Sequence, residues 1–196
     1  MLASITPLGE RGRHRTWGIT VTAFVVGSTA AAAAAGAILG ALGGLVPSGA
    51  ISSDARLAIL AAGGLIALAL DAGPLRVPGP RRQVSEHWLD DYRGWVYGLG
   101  FGAQLGLGVT TIVTSAATYV ALAAAFLSAA PGRGALVFGC YGAVRGLSLL
   151  AAAHVQNPDQ LRALHRAIDR RRRAARRGGI AMLAAIAVLA LIASVA

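Results

Sequence analysis

The sequence predicts an all-α protein: a polytopic membrane helical bundle of about five transmembrane spans, with its N-terminus inside the cell. Three observations carry this. Of 196 residues, 56% are hydrophobic and 13% are charged, with a mean hydropathy of +0.63; soluble domains carry about 25% charge. Apolar runs long enough to cross a hydrocarbon core of about 30 Å recur along the chain. The arginines, finally, are distributed by loop. Arg11, Arg13 and Arg15, then Arg76, Arg81, Arg82 and Arg93, then Arg162, Arg166 and the run from Arg170 to Arg177 occupy alternate connections, and only Arg56 and Arg133 occupy the others. That asymmetry is the positive-inside pattern of a multi-pass inner-membrane protein, with anionic lipids expected at its cytoplasmic face. A net charge of +10 in a soluble chain would point to nucleic acid. Here the placement of the charge beside apolar spans argues against a nucleic-acid partner.

Residues 1–16 form a short polar cytoplasmic segment, expected to be poorly ordered. Basic residues before an apolar run also open signal peptides, but this run continues to Val46, beyond a usual signal core. Residues 17–72 make the first transmembrane hairpin. Trp17 is placed as an interfacial anchor, and Ser28, Ala32, Gly36, Gly40 and Gly44 recur every four residues as a ridge for close helix packing. Pro47, Ser48 and Gly49 end that helix, and a shorter span returns to Asp71, which reads as an interfacial residue.

Residues 73–94 form a cytoplasmic loop in which three prolines forbid a long helix, and Trp88, Tyr92 and Trp95 return the chain to the interface. The second hairpin covers residues 95–155. Its first apolar run, to Pro131, would be roughly 50 Å long as a single helix, too long for the core, so a kink or break is expected at Gly108-Val109-Thr110-Thr111. Non-helical backbone at depth is tolerated only against protein or a water-filled cavity. The stretch from Gly27 to Pro47 also resembles that from Thr114 to Pro131, an indication of two hairpins related in parallel.

Residues 156–178 open with Asn157-Pro158-Asp159, a cap, a proline at the first helical position and an acid in the first turn. Leu161, Leu164 and Ile168 share one side while arginines cover the rest, the pattern of a basic amphipathic helix on a membrane surface. Residues 179–196 form the last span.

The stretch YGLGFGAQLGLG from Tyr97 matches a glycine-rich phosphate loop in letters only, since no strand precedes it. On a helix its glycines separate into two sets. Gly94, Gly98, Gly102 and Gly106 form a packing ridge, as do Gly142 and Gly146 on the next span. Gln104 lies opposite, in line with Tyr97, Thr111, Ser115 and Thr118. Arg145 is the sharpest single feature: an arginine within a span costs at least about 2.5 kcal/mol and ordinarily has a partner. Arg145, Gln104, Thr111, Ser115 and Tyr141 are therefore the candidate binding residues. No catalytic residue stands out: there is no nucleophile elbow and no pair of suitably spaced carboxylates. His14, His87, His154 and His165 show no metal-ligand spacing, so neither a metal nor another cofactor is expected.

The glycine-rich span of residues 97–130 and its small-residue partner at 139–150 resemble the transmembrane electron-transfer family of cytochrome c biogenesis and DsbD-type proteins. The resemblance is carried by LGFGAQLGLG and by repeated long hairpins. It implies a hairpin scaffold for passing reducing equivalents through two membrane cysteines beside prolines. This chain has Cys140 alone, without a neighbouring proline, so no redox residue carries over, and the implication is a relative that lost thiol exchange. Two further readings come from the residues themselves. An intramembrane arginine beside a broken helix fits a small permease for an anionic or polar solute. The alternative is a non-catalytic assembly or accessory subunit, in which the same residues meet a membrane-protein partner or another copy of the chain.

Overall fold

The computed structural model describes residues 5–47, 49–73, 77–80, 91–110 and 113–195. The expectations for Ser48, for Arg76, Arg81 and Arg82, for His87 and Trp88, and for Thr111 lie outside the described residues. The described chain is α-helical: α1 (Pro7–Gly12), α2 (Trp17–Gly44), α3 (Ser53–Ala72), α4 (Gly94–Gly106), α5 (Ala117–Leu127), α6 (Pro131–Leu147), which runs on into a 3-10 turn at Ser148–Ala152, and α7 (Pro158–Val195). Four of these are long and apolar enough to cross a membrane: α2, α3, α6 with its 3-10 extension, and α7. In the place of a fifth stand two short helices, α4 and α5, of 13 and 11 residues. The over-long third span is thus broken, and the break falls between Gly106 and Ala117.

α2 is the central element. It packs along α6 and α4 over most of its length and along α5 near its end. The chemistry of this contact is the absence of side chains. A Cβ on Gly102 or Gly106 would overlap the carbonyl oxygen of Phe24 or Ser28, and one on Gly98 would stand 2.5 Å from that of Thr20. From the α2 side, a Cβ on Gly36 would overlap the Gly134 carbonyl oxygen and one on Gly40 that of Ala130. Backbones in lipid approach this closely only where small residues face each other, and dispersion contacts accumulate because nothing separates them. The order of contacts fixes direction. Thr20, Phe24 and Ser28 meet Gly98, Gly102 and Gly106, so α4 runs parallel to α2, whereas Gly36 meets Gly134 and Ser28 meets Gly142, so α6 runs antiparallel.

α3 and α7 form a second pair, joined at Gly64 and Ala187 and held against α5 through Ala67, Ala116, Val120 and Leu183. α7 is one uninterrupted helix of 38 residues, continuous from its arginine-rich half into its apolar half.

The N-terminal segment differs from the poorly ordered tail expected of it. Thr6 caps α1, accepting from the Gly9 N–H at 3.0 Å, with Pro7 at the first helical position. Ile5 is buried among Val21, Phe24, Tyr97, Phe101 and Leu149. Burial of Ile5 favours folding back on the bundle, and the cost of burying the Glu10 carboxylate is offset by its hydrogen bonds to Thr20 and Tyr97.

Candidate functional site

Arg145 stands on α6, about two-thirds of the way from Pro131 to Ala152. The orientation of α6 follows from its glycines: Gly142 and Gly146 lie against α2, and Ser28 Oγ donates to the Gly142 carbonyl oxygen at 2.7 Å. That rotation turns Arg145 and Tyr141 toward the break between α4 and α5. Arg145 Nη1 donates to the Tyr141 hydroxyl at 2.7 Å, and the guanidinium carbon lies 5.4 Å from the Tyr141 ring centroid, a cation–π distance. The same hydroxyl is 2.6 Å from Thr118 Oγ1 at the start of α5. Because it accepts from Arg145, its proton is available to Thr118. The Tyr141 ring stacks on Phe138 with centroids 5.1 Å apart. Gly108 closes the group at a φ of 76°, where a Cβ would meet Thr118 Cγ2 at 3.0 Å and the Tyr141 ring at 3.5 Å. The break thus needs glycine twice over, for its left-handed backbone and for the space.

A second polar junction forms on the other side of the break. Asp71, at the end of α3, accepts from Ser115 Oγ at 2.6 Å through one oxygen and from the Ala116 N–H at 2.9 Å through the other. The N-cap residue of α5, Ala116, has no capping side chain, and Ser115 Oγ accepts the Ala117 N–H at 3.2 Å; the carboxylate of another helix adds the anionic cap that the N–H groups and dipole favour. The end of α3 is covered in turn by Arg176, which donates to the carbonyl oxygens of Asp71, Ala72 and Gly73 at 2.9 to 3.2 Å.

The candidate residues from the sequence therefore part company. Arg145 and Tyr141 are joined; Ser115 belongs to Asp71. Gln104 contributes its backbone carbonyl to Thr110 Oγ1 at 2.5 Å, and no hydrogen bond joins it to Arg145 among the described residues. Gly94, Gly98, Gly102 and Gly106 all face α2, and Gly94 also borders a third cluster that sequence reasoning missed.

That cluster centres on Glu10, which is fully buried. One oxygen accepts from Thr20 Oγ1 at 2.6 Å; the other accepts from the Tyr97 hydroxyl and lies 3.5 Å from Arg13 Nη1. Arg15 lies over the Tyr97 ring, 5.3 Å from its centroid, and donates to the Tyr92 carbonyl oxygen. A Cβ on Gly94 would stand 2.6 Å from Thr20 Oγ1. The signal available in the sequence was Thr6-Pro7, a cap followed by proline at a helix start.

Two apolar surface grooves are present. One is lined along α2 by Gly18, Ile19, Thr22, Ala23 and Val26, and the other lies between α3 and α5, bounded by Leu60, Ile66, Leu70, Tyr119 and Val120. Neither is lined by Arg145 or Tyr141. Among the described residues, no three His, Cys, Asp or Glu side chains converge as metal ligands.

Fold and site together define a multi-pass α-helical membrane protein whose polar groups gather at a helix break and tie helices to one another. The chain is 37% identical over 126 residues to methylamine utilization protein MauF of Methylorubrum extorquens, a match covering 63% of this chain and 44% of that protein. It is 32% identical over 130 residues to the MauF of Paracoccus versutus, covering 65% and 47%. The matched region spans about half the length of these curated relatives. No family model and no solved structure matches the chain. The resemblance to the cytochrome c biogenesis and DsbD-type family is overturned by these matches. Its basis was glycine-rich hydropathy, which any closely packed helical hairpin shares, and the cysteine pair that performs that family's chemistry is missing.

Proposed function

We propose that this chain is a non-catalytic accessory protein of the cell inner membrane that serves methylamine utilization by assembling with other membrane components. The observation that carries the proposal is the 126-residue match to a methylamine utilization protein. The site supports assembly over solute transport, because two of its polar contacts, Tyr141 with Thr118 and Asp71 with Ser115, join separate helix elements. The test is a chimera in which residues of this chain replace the matching segment of the Methylorubrum extorquens protein, in a strain lacking its own copy. Growth on methylamine is the expected result. A chimera that inserts in the membrane but restores no growth sinks the proposal. In proteoliposomes the chain should carry neither methylammonium nor small anions; a flux abolished by Arg145→Ala would return the permease reading.

The proposed orientation keeps the N-terminus and the arginine-rich half of α7 in the cytoplasm, beside anionic lipid, with the C-terminus outside. The arginine asymmetry supports it. Reporter fusions within residues 73–94 and at Ala196 should report opposite sides, and the same side for both would refute it.

A further inference from the structure

Arg145 is held but not neutralised. Its guanidinium has five N–H groups, and among the described residues it makes one hydrogen bond, to the Tyr141 hydroxyl, with no carboxylate within ion-pair distance. The side chain is only half-buried, and on the adjoining strip of the same helix Val137 is 38% and Val144 70% exposed. The charge therefore sits at the open edge of an apolar helix face, roughly 10 Å inside the end of its span. The hydroxyl pair beside it is oriented by the arginine itself, and the stacked Phe138 and Tyr141 rings with Gly108 fix its place. A cation held rigid in hydrocarbon with donors to spare calls for an anion at the same depth.

We infer that this face of α6 receives a membrane helix of a partner protein that carries a carboxylate level with Arg145. The inference rests on the accessory-protein reading and names the chemistry of its partner. A second copy of this chain does not supply the group. Of the eight acidic residues, only Asp54 and Asp71 belong to an apolar span outside the arginine-rich half of α7, each one residue from an end of α3 and neither at the depth of Arg145, and both oxygens of Asp71 are committed to Ser115 and Ala116. The partner is therefore a different helix, one with Asp or Glu on an otherwise apolar, small-residue face able to approach Val137 and Val144.

The test uses the full chain in phosphatidylcholine liposomes, with energy transfer to synthetic leucine-rich transmembrane peptides as the probe. One peptide carries Glu at the depth of Arg145, one carries Gln there, one carries only Leu, and one carries Glu a full turn from either end. The mid-depth Glu peptide should bind about fivefold or more tightly than the Leu peptide. That preference should be lost in Arg145→Leu, be partly kept in Arg145→Lys, and pass to a mid-depth Lys peptide in Arg145→Glu. Circular dichroism and thermal unfolding identify any variant that fails to fold, and Arg145→Lys keeps the comparison open in that case. Equal binding of all four peptides by the wild type overturns the inference. So does a Glu preference abolished by adding phosphatidylglycerol, which would make a lipid headgroup the occupant. The two readings fail separately. Methylamine growth restored equally by chimeras with and without Arg145→Leu removes the pairing and leaves the accessory role. A chimera that restores nothing, while the peptides still discriminate, removes the accessory role and leaves the pairing.

Discussion

Asp71 caps a helix to which it does not belong: its Oδ1 accepts the Ala116 N–H at 2.9 Å, across 45 residues of sequence. The carboxylate closes α5, orders Ser115, and ties α3 to the broken helix in a single contact.

Asp71→Ala leaves the Ala116 N–H and the Ser115 hydroxyl without their acceptor in a region that water does not readily supply. The expected loss is about 2 to 4 kcal/mol, and Asp71→Asn, which keeps one acceptor oxygen, should lose about half as much. Thermal unfolding in detergent measures both, and hydrogen exchange should rise first at Ala116 and Ala117. An unchanged melting point for Asp71→Ala would show the cap to be dispensable.

Glu10 holds the N-terminal segment in place through the Thr20 and Tyr97 hydroxyls. Replacing it with Ala strands two buried donors, at about 2 to 4 kcal/mol. Amide exchange over residues 5–12 should accelerate at least tenfold while the amides of α3 and α7 keep their protection. Protection retained in Glu10→Ala would mean that Ile5 alone docks the segment.

Gly102 and Gly178 offer a matched pair within helices. Gly102→Ala forces its new Cβ against the Phe24 carbonyl, so α2 and α4 must separate, at about 1 to 3 kcal/mol. Gly178→Ala meets nothing within 4 Å and should stabilise α7 by up to about 1 kcal/mol. Opposite shifts in melting temperature are expected, and shifts of the same sign would contradict the packing described for α2.

Gly108→Ala should cost about 1 to 2 kcal/mol from its positive φ alone, with an added penalty from Thr118 Cγ2 at 3.0 Å. Gly132→Ala, near the start of α6 with open space around it, is the control and should stay within about 0.5 kcal/mol. Equal effects of the two changes would place the break elsewhere.

The break itself was legible, because a run of about 35 apolar residues cannot be one straight span across about 30 Å. What followed the break was not. A helical projection at 100° per residue carries Gln104 onto the same face as Ser115 and Thr118 only while the helix continues. The non-helical stretch after Gly106 resets that phase, so Ser115 turns to Asp71 and Thr118 to Tyr141. Arg145 and Tyr141, one turn apart on an unbroken helix, kept their relationship. Glu10 escaped notice because a lone acid among arginines reads as solvated polarity. Its burial depends on Thr20 and Tyr97, distant in sequence and brought together only by the parallel packing of α2 and α4.

The continuity of α7 has a mechanical consequence. The helix is pinned at Leu164, against Ala152, Val155 and Leu8, and again at Arg176, against the end of α3. Every residue between Ile168 and Gly178 is exposed. A helix bends sharply only by giving up backbone hydrogen bonds, so the stretch between the pins behaves as a stiff rod about 18 Å long. A push on the arginine-bearing end does not dissipate in a hinge. It arrives at Arg176, passes to the carbonyls that end α3, and reaches the Asp71 carboxylate that closes α5.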